Sequence, residues 1–158
     1  MSDAAAIRRA RGDEVPLLRE IQLASKAYWG YSEETMSRFA EVISMSSEYF
    51  GTHEVWVIAA HRSVRGWYSL LLRDDVCELH NMWVLPTDIG RGLGRQLYEH
   101  ARARAEASGA SRFEWEAEPN AAGFYAHMGG KHLRTATSLL DQPIAWMGVE
   151  LRSHRFPR

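Results

Sequence analysis

The sequence predicts an α+β fold in which a mixed, mostly antiparallel central sheet is flanked by helices. Three observations predict it. Apolar residues recur with strand and helix periods in the order β-α-α-β-β-β-α-β-α-β-β. The three strands in mid-chain are joined by links of a few residues, which reads as an antiparallel meander. The last of them runs through a short glycine-rich turn directly into a helix.

Each element has its own signals. Ala4 to Arg9 is short and extended, and Gly12-Asp13 punctuates it. Asp13 is the expected N-cap of the first helix, with Pro16 tolerated in its first turn. Leu17, Leu18, Ile21, Ala24, Ser25 and Tyr28 recur on one face, and Gly30 ends the helix. Ser32 caps the second helix, Glu33 and Glu34 suit its positive end, and Met36, Phe39, Ala40 and Ile43 form its apolar stripe. Val55 to Ala60 is a continuous apolar run, as in a strand covered on both faces. His61 to Val64 is a tight connection to a strand from Gly66 to Leu72. Arg73-Asp74-Asp75 then turns into a strand from Val76 to Val84. After the glycine turn Leu93, Leu97, Ala101 and Ala105 align at i+4, Arg95 and Glu99 pair on the outer face, and Ser108-Gly109 ends the helix. Arg112 to Ala117 is a strand, Ala121 to Met128 a short helix, and Lys131 to Thr137 and Ile144 to Leu151 the last strands.

The 158 residues fit one domain, 1–158, with a real core. A formal charge of −1 gives no electrostatic footprint for nucleic acid or a membrane surface. No stretch approaches the ~20 apolar residues of a membrane span, and the N-terminus does not read as a signal peptide. The single Cys77 lies in an apolar run and reads as a small buried residue. A cytoplasmic protein is expected. The basic segment from Arg152 to Arg158 reads as a solvated tail. The seven histidines have no metal-ligand spacing, and His53-Glu54 lacks the second histidine of a zinc helix, so no metal is expected.

The stretch from Met82 to Leu97 carries the most information. Gly90, Gly92 and Gly94 remove three β-carbons where a strand turns into a helix. An anion can then approach the main chain and the positive end of the helix dipole. A pyrophosphate is the natural occupant. The turn lacks the Lys-Ser/Thr of a P-loop, since Arg95-Gln96 follow Gly94. Its G-x-G-x-G spacing is not a dinucleotide fingerprint either.

The segment V-x-P-x-x-x-G-x-G-x-G-x-x-L, from Val84 to Leu97, resembles the acetyl-CoA-binding motif of the GNAT N-acetyltransferase superfamily. Asn120-Ala121-Ala122-Gly123-Phe124-Tyr125-Ala126-His127-Met128-Gly129-Gly130 is similar to that family's N-A-x-x-F-Y-x-x-x-G-F segment. There are two departures. Ile89 stands where many members carry Gln or Arg, and Gly130 replaces a Phe, which loosens local packing. The resemblance implies a GNAT-like three-layer fold. In it the strand before the glycine turn splays from the strand after the helix, and coenzyme A lies in the cleft between them.

It also implies an acyltransferase that moves an acetyl group from acetyl-CoA to a primary amine. The amine is expected to belong to a small molecule and to attack directly in a ternary complex. A protein N-terminus or lysine as acceptor, and a non-catalytic CoA-binding module, are the alternatives. Gly90, Arg91, Gly92, Leu93, Gly94 and Arg95 would donate backbone N–H groups to the pyrophosphate, with Ile89 beside them. The Arg91 and Arg95 side chains either add charge or lie solvated. Met82, Trp83 and Val84 would present main-chain groups to the pantetheine arm and the acetyl oxygen. Tyr125 would protonate the departing thiolate, with Phe124 beside it; alone it would read as a packing residue. Asn120 would hydrogen-bond the coenzyme or cap a helix.

Alternation on the Val76–Val84 strand puts Glu78, His80, Met82 and Val84 on one face, unless a bulge intervenes. Glu78 matches a glutamate that some members use, through water, to take the amine proton. His80 is nearer the thioester; solvent is the third option. Tyr28, Trp29 and Tyr31 would wall the acceptor side, with Glu33 and Glu34 drawing in a cation. A homodimer is compatible with the sequence.

Overall fold

The structure is a computed structural model and describes residues 4–43 and 45–151. The basic segment 152–158 lies outside the described residues. The elements run β1 (Ala6–Arg9), α1 (Val15–Ala27), α2 (Glu33–Val42), β2 (Glu54–Ala60), β3 (Ser63–Arg73), β4 (Val76–Val84), α3 (Leu93–Ala107), β5 (Arg112–Ala117), α4 (Ala122–His127), β6 (Lys131–Thr137) and β7 (Pro143–Glu150). The strands form one seven-stranded sheet in the order β1-β2-β3-β4-β5-β7-β6. Every neighbouring pair is antiparallel except β4 with β5. The predicted order and mixed sheet are therefore observed.

Two cores lie on opposite faces of the sheet, giving three layers. On one face Leu97, Tyr98 and Ala101 of α3 pack on Tyr68, Leu79, Phe113 and Trp115, with Phe124 and Tyr125 of α4. On the other, Leu18 and Ile21 of α1 pack on Val55, Val57 and Trp67, joined by Tyr49. The Trp67 indole N–H donates to Leu18 O at 2.9 Å, so the polar edge of this fully buried ring is satisfied. Burial pushes the Cys77 thiol up to about 11, which fits the small buried residue that its context suggests. Among the described residues no helix is long and apolar enough to cross a membrane, and no group of three or more His, Cys, Asp or Glu is arranged to hold a metal ion.

The structure corrects three local readings. Asp13 does not cap α1: a 3-10 turn from Gly12 to Glu14 precedes the helix, and Glu14 occupies the cap position. The buried stripe of α1 is Leu18, Ile21, Gln22, Ser25 and Lys26, while Leu17 and Tyr28 are exposed. Three of these five residues are polar because the stripe faces β4 and the cleft described below, which apolar periodicity cannot reveal. The third correction concerns β4. Ser69 pairs with Asn81 and Leu70 with Leu79, so His80 is an extra residue in a β-bulge. Cys77 and Leu79 therefore share the α3 face with Met82 and Val84, whereas Trp83 packs on the α1 side. Glu78 and Met82 do not share a face as simple alternation predicts.

Candidate active site

β4 and β5 pair only from Val76–Arg112 to Leu79–Trp115. Beyond Leu79 the strands part, and the gap opens into a cleft of about 760 Å³. Its walls come from α1 and the segment after it, the free edge of β4, the glycine turn, the end of β5, α4 and the β6–β7 connection. A smaller cavity of about 120 Å³ adjoins it; Gln22, His80, Asn81, Glu116 and Leu139 line both.

The glycine turn is held from below. Buried Asp88 receives the Arg65 Nε–H at 2.8 Å, and its own N–H reaches Leu85 O at 2.9 Å. Gly90 and Gly92 have φ of 84° and 83°, the left-handed region that glycine enters without a steric penalty. A Cβ at either would meet nothing within 4 Å, so both face open space. The amides of Gly90, Gly92, Leu93, Gly94 and Arg95 make no hydrogen bond among the described residues. The Arg91 amide does: it donates to Asp88 O at 3.2 Å, so it is not one of the free donors that the motif suggests. The Gln96 amide closes the first helical turn on Gly92 O at 3.1 Å. Five free donors at the positive end of a 15-residue helix, with open space above Gly90 and Gly92, fit a diphosphate.

Of the other residues singled out, Met82, Trp83, Val84, Ile89, Asn120, Phe124 and Tyr125 all line the cleft. Val84 O is engaged by the Ser25 hydroxyl at 2.6 Å. Asn120 neither caps a helix nor stays free. Its Nδ2 donates to Glu118 Oε1 at 2.8 Å, and Glu118 is the cap of the Pro119–Ala121 turn. Tyr125 is only 6% exposed, yet it lines the cleft, and its hydroxyl makes no hydrogen bond among the described residues. Burial, then the neighbouring Tyr98 and Glu118, hold its pKa well above the ordinary phenol value. It therefore keeps its proton. Trp29 and Tyr31 line the cleft, but Tyr28 does not: it is 53% exposed and stacks edge-on against Trp29. Glu33 and Glu34 are also absent from the cleft wall.

Glu78 lines only the smaller cavity, with Arg73 Nε at 3.4 Å. Burial raises its carboxyl, and Arg73 opposes the shift. His80 reaches both cavities. Its Nδ1 lies 2.5 Å from the Tyr49 hydroxyl, which also contacts Ser69 Oγ at 2.7 Å and accepts from Asn81 Nδ2 at 2.8 Å. Burial, then the Arg73 charge, lower the imidazole pKa, so the ring is neutral at pH 7.

Sequence reasoning missed the residues that give the cleft its charge. Lys26 Nζ donates to Glu118 Oε2 at 2.6 Å, and the Tyr31 hydroxyl donates to the same carboxylate. Burial raises Glu118, but these hydrogen bonds outweigh it and hold the carboxyl low. Glu116 stands beside it with no such partner; burial, then the Glu78 charge, raise its carboxyl. The alternation of Phe113, Trp115 and Ala117 with Glu114 and Glu116 was the available signal. It shows a strand with one polar face, but not that this face meets a cleft.

Known proteins place this arrangement. The family model described as Acetyltransferase (GNAT) family matches residues 17–129. The chain belongs to that family, and it is an acyltransferase. No curated protein sequence matches it. Among solved structures it is similar to the PaiA N-acetyltransferase of Thermoplasma acidophilum in complex with coenzyme A, with TM-score 0.78 and 16% identity over 93% of this chain and 99% of that one. A GCN5-related N-acetyltransferase of Rhodopseudomonas palustris gives 0.78 and 21% over 96% and 98%. The ribosomal-protein-S18-alanine N-acetyltransferase of Escherichia coli gives 0.70 and 17% over 98% and 100%. At these identities the likeness speaks for the fold.

Proposed function

We propose that this chain is an acetyl-CoA-dependent N-acetyltransferase whose acceptor is a primary amine of a small molecule. The amine attacks directly while both substrates are bound. The observation that carries the reading is the set of free amides on the glycine turn, whose Gly90, Gly92, Gly94 and Arg95 line the same cleft as Tyr125. When bound, acetyl-CoA supplies the acetyl group as an activated thioester. The amides of Gly90, Gly92, Leu93, Gly94 and Arg95 would hold its diphosphate. The edge of β4 from His80 to Val84, left free where β5 diverges, offers main-chain groups toward the acetyl oxygen. One such N–H donor is worth ~2.7–4 kcal/mol in acyl transfer. A small acceptor is supported by Trp29, Tyr31 and Phe39, which give the cleft an aromatic wall on that side.

The reaction forms an N–C bond and breaks a C–S bond. The amine loses a proton and the sulfur gains one. An alkylamine has a pKa near 10.4, so a base is needed. His80 is neutral and faces the cleft; with its Nδ1–H donated to Tyr49 Oη, its Nε2 can take the proton. Glu78 lines the smaller cavity that His80 also borders, which has room for water, and so can receive the proton in turn. Tyr125 Oη is the proton donor on the other side of the cleft.

The test is an amine panel incubated with acetyl-CoA, with released thiol as readout. Turnover of at least one small amine is expected. Tyr125→Phe should lower kcat about 10²-fold, within the range for general acids, with KM for acetyl-CoA nearly unchanged. In the wild type kcat/KM should fall as pH drops through the lowered His80 pKa, because the protonated ring cannot act as a base. A protein that binds acetyl-CoA but releases no thiol with any amine or peptide would be a binding module instead.

A further inference from the structure

Behind His80 lies a pair of buried hydroxyls. Ser69 of β3 is fully buried, and Tyr49 is 6% exposed. The β4 bulge brings them to the imidazole. Ser69 pairs with Asn81 and Leu70 with Leu79, so the inserted His80 stands next to the partner of Ser69. The Tyr49 ring is backed by His53, stacked on it at 3.7 Å and 6° from parallel. Its Oη meets three groups: Asn81 Nδ2 at 2.8 Å, Ser69 Oγ at 2.7 Å and His80 Nδ1 at 2.5 Å.

The protons of this cluster can be arranged in two ways. The Trp83 indole N–H, which can only donate, meets Asn81 Oδ1 at 3.0 Å. Asn81 therefore turns its Nδ2 toward Tyr49 and donates to Oη. The Tyr49 proton then goes to Ser69 or to His80, since no other acceptor reaches Oη among the described residues. If it goes to Ser69, Oη is free to accept Nδ1–H of His80, and Nε2 carries a bare lone pair. If it goes to Nδ1, Ser69 donates to Oη instead. The proton of the neutral ring then sits on Nε2, and that nitrogen cannot act as a base. The heavy atoms are the same in both arrangements.

We infer that Ser69 is a positioning residue for the acetyl transfer: by accepting the Tyr49 proton it gives His80 the tautomer in which Nε2 is a base. The inference rests on the N-acetyltransferase reading above, with His80 as the base. Ser69 lines neither cavity, so it acts only through Tyr49. Nε2 takes the amine proton, Nδ1 keeps its own on Tyr49 Oη, and the ring becomes the cation. Without the serine hydroxyl the Tyr49 proton has only Nδ1 to bond, and Nε2–H is the stable form. Without the Tyr49 hydroxyl, Nδ1 faces Asn81 Nδ2 at 3.2 Å, which is a donor, with the same result. A histidine held in the wrong tautomer keeps its place but loses its function.

The experiment sets Ser69→Ala and Tyr49→Phe beside the wild type, with thermal melts confirming that each folds. Two readouts are taken. One is the 15N spectrum of histidine-labelled protein at about pH 8, above the ordinary imidazole pKa. The His80 signal, assigned by its loss in His80→Gln, shows which ring nitrogen is bare. The other is kcat and KM by thiol release. The wild type should show bare Nε2 in a measurable fraction of molecules, and both variants Nε2–H alone. In both variants kcat should fall about tenfold to a hundredfold, as expected when a buried donor loses its acceptor, with KM for acetyl-CoA unchanged. Ser69→Ala should add no further loss to His80→Gln. A wild-type tautomer and kcat in Ser69→Ala overturn the inference and leave the N-acetyltransferase reading standing. A loss of kcat that persists in the His80→Gln background also overturns it, because the serine would then be merely structural. A wild-type ring with Nε2–H alone overturns it as well and gives the amine proton to solvent. The expected tautomers without thiol release from any amine support the control of His80 by Ser69 and sink the enzymatic reading.

Discussion

Glu14 sets the start of α1. Its carboxylate takes two hydrogen bonds from the Arg8 guanidinium, each at 2.9 Å, and one from the Arg11 amide at 2.8 Å. The Arg8 hydrogen bonds, outweighing the burial that opposes them, hold the carboxyl at about 2 against an ordinary 4.5. A depressed carboxyl stabilises the fold above its unfolded pKa, and the contribution is lost as pH falls through the folded value. The wild type should therefore lose stability between about pH 4.5 and 2. Glu14→Gln should cost ~1.5–3 kcal/mol at pH 7 and flatten that acid slope, measured by urea unfolding across pH. Gly130 makes the second point at this scale. Its departure from the family's Phe reads in the sequence as looser packing. In the fold a Cβ there would lie 2.6 Å from Trp115 Cζ2 and 3.0 Å from Tyr125 O. The Trp115 indole fills the space, so the packing is tight. Gly130→Ala should cost ~1–3 kcal/mol by overpacking, seen as a lowered denaturant midpoint.

At the scale of elements, the turn between β4 and α3 combines an anchored underside with an open top. Asp88 and Arg65 fix it from below, and the amides above are free. Gly92 precedes the first helical residue at φ 83°, where an L side chain costs ~1–2 kcal/mol and projects into the space left open. Gly92→Ala should therefore weaken acetyl-CoA binding about tenfold or more by calorimetry while leaving the far-ultraviolet circular dichroism unchanged. The β4 bulge is the other decisive element. One extra residue at His80 leaves Glu78, Asn81 and Trp83 on the α1 side and Met82 and Val84 on the α3 face. That shift moves the carboxylate with the clearest family match out of the large cleft and brings His80 to its wall.

At the scale of the whole molecule, an ion pair bridges the cleft. Lys26 of α1 and Glu118 after β5 have side chains only 10% and 16% exposed, and Lys26 also lies over the Tyr31 ring at 4.5 Å. Removing one partner strands a poorly solvated charge. Lys26→Met should lower Tm by roughly 5–10 °C, given ~2–4 °C per kcal/mol for a chain of this size.

The sequence by itself determined the element order, the strand–turn–helix that carries the glycine cradle, and the burial of Leu97, Ala101 and Ala105. Periodicity, turn residues and backbone freedom are local properties, written in neighbouring letters. It also marked Tyr125 and the β4 residues, through two motifs whose spacing depends on contiguous chain. Only the tertiary structure decided that Arg91's amide is engaged, that Tyr28 lies outside the cleft wall, and that Glu116 and Gln22 line the two adjoining cavities. Those outcomes depend on where β4 and β5 separate and on one inserted residue in β4. The polar stripe of α1 was illegible for the same reason. Gln22, Ser25 and Lys26 are buried against Asn81, Val84 and Glu118, far along the chain, and hydrophobicity carries no record of a polar group's distant partner.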